Sequence, residues 1–267
     1  MSEPPFRALA IVGAGLIGAS IDQAARRAWP QVRPVVLDAG DDLSSVSGAD
    51  LVVLAAPVRA NIQLLSAIAP HLDAGAVVTD TGSTKRTICA AAAQLASIAF
   101  IGGHPMAGGA RGGAANARPD LFDGRPWVVT PLPGSPGSAV ARVDAFVAAL
   151  GGVPHLMTPE LHDRFVGAVS HLPQLTASAL MHVVGRLAGD AGLEVAGPGL
   201  VDTTRLAASP PDIWKDIAAT NQDVLQEGLD QLIRVLTDLR NSLGTGEAID
   251  EVFTSACRWR ATLERSR

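Results

Sequence analysis

The chain has 267 residues, 48% of them hydrophobic and 18% charged, with a formal net charge of −5. That length allows two modest domains or one large one around a substantial core, and the composition excludes a chain disordered in bulk. The negative balance gives no electrostatic reason to expect nucleic acid or an anionic membrane as partner. Two cysteines, Cys89 and Cys257, make no disulfide framework. No apolar run reaches membrane-spanning length, and Met1 leads through a polar, proline-bearing stretch without the basic region of a signal peptide. These features predict a reduced, cytoplasmic setting.

Residues 1–157 alternate short apolar runs with helix-compatible segments. Strands are predicted at Ala8–Val12, Val32–Leu37, Leu51–Ala55, Ala76–Thr79, Ala99–Ile101 and Trp127–Thr130. Runs this short, rich in Val and Ile, suit strands buried on both faces of a parallel sheet. Leu16–Ala28, Arg59–Ala69 and Lys85–Leu95 supply crossover helices, which predicts a doubly wound α/β domain. Only about a dozen residues separate Asp38 from the next strand, so that crossover helix is a single turn or absent.

Residues 103–126 read as a long glycine-rich loop, a length more often functional than idle. Thr158-Pro159-Glu160 is a helix start, with Thr as N-cap and Pro at the first helical position. No convincing strand follows, so residues 158–267 are expected to form an all-helical domain. Within it Leu225, Leu229, Leu232, Leu236, Leu239 and Leu243 alternate four- and three-residue steps. Such a seam wants to pack along another helix, and a homodimer through the C-terminal helices is expected.

The chemistry begins at Gly13-Ala14-Gly15-Leu16-Ile17-Gly18, a GxGxxG turn that follows an apolar strand and opens a helix. Gly13 permits the tight turn, Gly15 lets a pyrophosphate approach the backbone, and Gly18 lets helix and strand lie close. The N–H groups of the first helical turn, from Leu16 and Ile17 onward, then face the phosphates. Asp38 ends the second strand 20 residues after Gly18, where its carboxylate suits the ribose hydroxyls and repels a 2′-phosphate. Ala56 and Pro57, after the third strand, complete the expected cofactor contacts. NAD is therefore expected, with NADP left open by the short crossover. No metal ligand set is expected.

Three further segments carry candidate chemistry: Asp80-Thr81-Gly82-Ser83-Thr84-Lys85, Gly102-Gly103-His104-Pro105-Met106-Ala107-Gly108 and Ser170-His171-Leu172-Pro173-Gln174. The first two follow predicted strands, placing Ser83 and His104 at the carboxyl edge of the sheet, where such folds bind ligands. Together with "PELHD" and "DTTRLAASPPDIWKDI", spread in order over nearly the whole chain, they resemble the prephenate/arogenate dehydrogenases of tyrosine biosynthesis. The resemblance implies a Rossmann-type N-terminal domain, an all-helical C-terminal dimerisation domain and an oxidative decarboxylation of a cyclohexadienol.

It implies roles too. His104 is the general base, Ser83 bonds the substrate hydroxyl and helps hold His104, and Arg205 binds a substrate carboxylate. His171 and Gln174 are expected at the substrate, with a buried structural role equally open for His171. His162 is read as structural or as support behind the groups that touch substrate; nine residues from His171, it falls on an opposite or adjacent helix face. Trp214 is read as core.

Two departures from the family pattern stand out. Gln174 replaces a frequent histidine, and Gly109 and Ala110 replace a hydroxyl residue and a glutamate. Gln174 and the short crossover after Asp38 keep open a related cyclohexadienyl acid, such as an amino-substituted one in secondary metabolism. A non-catalytic dinucleotide sensor is the remaining alternative, against which Ser83, His104 and Arg205 all stand.

Overall fold

A computed structural model describes residues 3–95, 97–109 and 112–265; Ala110 lies outside the described residues. Among the described residues seven strands form one sheet: β1 (Leu9–Val12), β2 (Val35–Leu37), β3 (Leu51–Leu54), β4 (Val77–Asp80), β5 (Ala99–Pro105), β6 (Pro126–Pro131) and β7 (Val153–Leu156). Their spatial order is β2-β1-β3-β4-β5-β6-β7. All neighbours pair in parallel except β5 and β6, which run antiparallel. Helices α1 (Leu16–Ala28), α2 (Val58–Ile68), α3 (Arg86–Ala93) and α4 (Gly137–Ala149) cover it.

The central strands are buried at every position of β1, β3 and β4, as runs of Val, Leu and Ile require when both faces are covered. One core layer gathers Phe6, Ile21, Trp29 and Phe146 on one face, and the other gathers Leu65, Ile88 and Phe100.

Several boundaries differ from expectation for physical reasons. β2 begins at Val35 rather than Val32 because Pro34 offers no N–H to the ladder. The short crossover is a single 3-10 turn, Leu43–Val46, capped by the Asp42 carboxylate, which accepts from Ser44 N–H at 2.9 Å. β5 runs four residues past the expected Ile101. Gly102 and Gly103 allow it, since a Cβ on Gly103 would stand 2.5 Å from the Asp80 carbonyl oxygen.

Two elements were not anticipated. α4 buries Ala139, Val143, Phe146 and Val147 at helical spacing, but alanines and valines shared with its other faces blur that stripe in the sequence. β7 sits at the sheet edge, with Val153 and Leu156 exposed and Pro154 interrupting the run, so it lacks the signature of a buried strand.

The chain divides into two compact units, Met1–Asn221 and Gln222–Arg267. The first continues from the sheet into α5 (Pro159–Val166), a π-helical turn (Gly167–His171), α6 (Leu172–Leu193), α7 (Pro198–Thr204), a 3-10 turn (Arg205–Ala208) and α8 (Pro211–Thr220). These helices belong to it because their polar groups bond the sheet's loops: Thr220 Oγ1 lies 2.8 Å from Thr84 Oγ1, and Arg86 donates to Asn221 Oδ1 at 2.9 Å. The second unit is a hairpin of α9 (Gln222–Asn241) and α10 (Glu247–Arg265), α10 folding back against α9. α9 carries the leucine seam from Leu225 to Leu239, with Leu236 exposed, and Leu243 follows, also exposed, in the turn before α10.

Candidate active site

The nucleotide cradle forms at the point where the chain leaves β1 for β2 on one side and places β3 on the other, the crevice that doubly wound sheets use for ligands. Gly13 has φ +113° and donates its N–H to the Leu37 carbonyl at 2.7 Å. A Cβ there would meet the Ala55 carbonyl carbon at 2.7 Å, and one on Gly18 would meet the Gly13 oxygen. Both positions admit only glycine. Gly15 has open space and an extended backbone as the N-cap of α1, leaving room for a phosphate against the N–H groups of half-buried Leu16 and Ile17. Across the crevice, buried Asn61 accepts from Ala56 N–H at 3.0 Å and donates to the Leu54 carbonyl at 3.2 Å, fixing the turn into Pro57. Asp38 is exposed at the end of β2, its N–H held by Asp41 Oδ2 at 2.7 Å. The donor set and the glycine cradle fit a dinucleotide.

At the carboxyl edge of β4 and β5 a buried network forms around His104. Asp80, ending β4, accepts from Gly82 N–H at 2.8 Å, from Gly103 N–H at 3.0 Å and from the Lys85 ammonium. Lys85 also donates to the Gly103 carbonyl at 2.7 Å. Lysine and aspartate are both fully buried, so each requires the other.

The next residue, His104, places Nδ1 2.8 Å from His162 Nε2, and His162 Nδ1 lies 2.7 Å from Asp163 Oδ1. Asp163 also accepts the backbone N–H groups of Lys85 (2.6 Å) and Arg86 (2.9 Å) and the Arg86 Nε–H (3.2 Å). Burial opposes the Asp163 charge, but these donors, led by His162, hold its carboxyl below the usual range. Burial first, then the neighbouring His162 and Lys85 charges, pushes His104 well below the ordinary histidine value. Burial likewise lowers His162, against the pull of Asp163.

The group that holds His104 is thus His162, not Ser83. Ser83 is half-buried at the same sheet edge and makes no hydrogen bond to His104 among the described residues. The sequence points to His162 without its partner, and no motif in it assigns a role to Asp80, Lys85, Asp163 or Asn221. The legible signal was Lys85, one of only two lysines, inside a motif that ends a buried strand.

His162 and His171 do not end on opposite faces. The π turn between them adds a residue to one turn, rotating the downstream helix by about 100°. Both rings are buried, and Asn221 Nδ2 bridges the Asp163 carbonyl (2.9 Å) and His171 Nδ1 (3.4 Å). His171 Nε2 is buried with no hydrogen-bond partner among the described residues, and Trp214 meets the ring edge-on at 5.9 Å. Burial lowers its pKa to about 4.

Gln174 is tied into the protein. Its amide donates to the Leu206 carbonyl (2.7 Å) and Ser178 Oγ (3.3 Å), and its oxygen accepts from Ser209 Oγ at 3.2 Å. Arg205, which starts that 3-10 turn, is exposed and forms no ion pair among the described residues.

Two family models match the chain: prephenate dehydrogenase, nucleotide-binding domain, over residues 8–156, and prephenate dehydrogenase, dimerization domain, over residues 158–254. A cyclohexadienyl dehydrogenase of Zymomonas mobilis is 30% identical, the alignment covering 97% of each chain. Among solved structures, Synechocystis arogenate dehydrogenase has a TM-score of 0.81 at 29% identity, covering 98% of this chain and 100% of that one. A prephenate dehydrogenase from A. aeolicus, in complex with hydroxyphenyl propionate and NAD+, has a TM-score of 0.87 at 25% identity, covering 100% and 99%. The chain belongs to the prephenate dehydrogenase family.

Proposed function

We propose that the protein is an NAD-dependent dehydrogenase that oxidatively decarboxylates prephenate, arogenate or both, giving 4-hydroxyphenylpyruvate or tyrosine. The observation that carries this is a neutral, buried His104 at the carboxyl edge of the sheet, held by a histidine–aspartate pair, in a chain of this family. Bound NAD supplies the hydride acceptor for C4 of the cyclohexadienol. His104 Nε2 takes the C4 hydroxyl proton as hydride departs. The proton returns to that oxygen as electrons of the C1–carboxylate bond aromatise the ring and CO₂ leaves. Ser83, in the turn that follows β4, bonds the same hydroxyl.

Exposed Arg205, with no ion pair among the described residues, takes a substrate carboxylate, a task suited to a planar guanidinium. The orphan Nε2 of His171 offers a buried group that a ligand can satisfy. Asp38, with Asp41 and Asp42 beside it, accepts from the adenosine ribose and disfavours a 2′-phosphate, so NAD is preferred to NADP. Residues 1–157 carry the cofactor, and 158–267 carry substrate groups and a homodimer interface. Exposed Ile233, Leu236, Phe253 and Trp259, with Leu243 in the turn between them, give α9 and α10 apolar surface for a second copy. No described helix is long and apolar enough to cross a membrane, consistent with a cytoplasmic setting.

The test is direct. Purified protein with NAD and, in turn, prephenate and arogenate should form NADH with at least one of them. No turnover with either would overturn the reading.

A further inference from the structure

We infer that His162 is a positioning residue that fixes which nitrogen of His104 carries a proton, leaving Nε2 bare to act as the base. This rests on the function proposed above.

The chain of donors runs in one direction. A carboxylate is acceptor-only, so across the 2.7 Å contact His162 Nδ1 must donate to Asp163. The other donors on Asp163 come from Lys85 and Arg86, and they leave the carboxylate no reason to take up a proton. A neutral imidazole that donates through Nδ1 has only an acceptor at Nε2. Across the 2.8 Å contact His104 Nδ1 must therefore donate to His162. His104 is then protonated on Nδ1, and its Nε2 lone pair is the one free for the hydroxyl proton. With the opposite tautomer, Nε2 would carry a hydrogen and could not take another.

The alternative, a doubly protonated His162 donating to both sides, would make His104 accept at Nδ1. Its surroundings oppose that. His162 and His104 are buried, and Lys85 and His171 face the pair, with Asp163 and Asp80 the anions nearby. Burial and the lysine favour neutral rings.

When the hydroxyl proton arrives at His104 Nε2, the ring becomes an imidazolium whose Nδ1–H already points at His162. The added charge is shared along a bonded path ending on Asp163, without moving a side chain. This arrangement puts both rings to use, where a ring that only filled space would need no particular nitrogen aligned.

Nitrogen-15 NMR of histidine-labelled protein, with no substrate present, reads the tautomer directly. The expected result is His104 protonated on Nδ1 and bare at Nε2. His162→Leu removes the acceptor and should shift His104 toward the other tautomer. Its kcat should fall about 10²-fold or more, with KM changed by less than about threefold. His162→Gln, whose amide oxygen can accept from Nδ1–H, should recover most of that loss.

Wild-type His104 protonated on Nε2 would overturn the inference even if the leucine variant failed to fold. So would a folded leucine variant with kcat within about twofold of wild type. A correct tautomer with no turnover of prephenate or arogenate would instead refute the proposed function alone.

Discussion

The Lys85 ammonium lies 2.7 Å from the Gly103 carbonyl oxygen, so a fully buried cation grips the residue just before the proposed base. The same ammonium bonds Asp80, which in turn accepts the Gly103 N–H. Both main-chain polar groups of Gly103 are thereby tied to one ion pair, and β5 is held in place at His104. Removing one partner of a buried pair strands the other charge. Lys85→Met should cost about 3–5 kcal/mol of stability, read as a lowered thermal midpoint. A change within about 0.5 kcal/mol, as surface substitutions give, would show that water replaces the lysine there.

His104→Asn keeps a polar side chain of smaller size but removes the titrating ring. kcat should fall about 10²–10⁴-fold if the ring is the general base. The glycine cradle that meets the dinucleotide is built by other residues, so NAD affinity measured by fluorescence titration should hold. Normal kcat in a folded variant would remove His104 from the mechanism.

Acid should weaken the fold before it protonates the carboxylates. Burial lowers the pKa of His104, His162 and His171, the last to about 4, against an ordinary value of 6.5. Below 6.5 the unfolded chain binds protons that these folded rings refuse, so stability falls with pH and levels off once the folded rings protonate. His171 alone accounts for up to about 3 kcal/mol. Denaturant midpoints should decline from pH 7.5 to pH 5, and a flat profile would contradict neutral buried rings. Because burial holds His104 well below its ordinary value, the acid limb of kcat/KM should lie below pH 6.5.

Much of this was legible in the sequence because period and punctuation were unambiguous. Helix Leu16–Ala28 falls where it was expected, since Gly15 opens it and two arginines close it. The missing crossover helix followed from chain length between Asp38 and Leu51. What could not be read was convergence in space. His104 and His162 are 58 residues apart, and only the packing of α5 over the sheet edge brings their nitrogens to 2.8 Å. The π turn before α6 decides between the opposite and the adjacent face for His171, and no residue type announces i→i+5 bonding. Gln174 looked like a substrate group because resemblance supplies a position and not its local partners.

Those partners give Gln174 a different prediction. Both its amide hydrogens are engaged, one by the Leu206 carbonyl in the turn that Arg205 begins, and Ser209 donates to its oxygen beyond that turn. The side chain therefore clasps α6 to the segment presenting the exposed guanidinium. Gln174→Ala would free that segment and leave a Leu206 carbonyl without its donor, at a cost of about 1–3 kcal/mol. If Arg205 binds the substrate carboxylate, its placement is what suffers. KM for the substrate should rise about tenfold, equivalent to about 1.4 kcal/mol of lost positioning, while NAD affinity and kcat at saturation change little. Arg205→Ala should raise KM further, and the double variant should be no worse than Arg205→Ala alone, because the clasp has nothing left to position. Additive losses in the double variant would mean that Gln174 meets the substrate directly, through the lone pair its oxygen still has free.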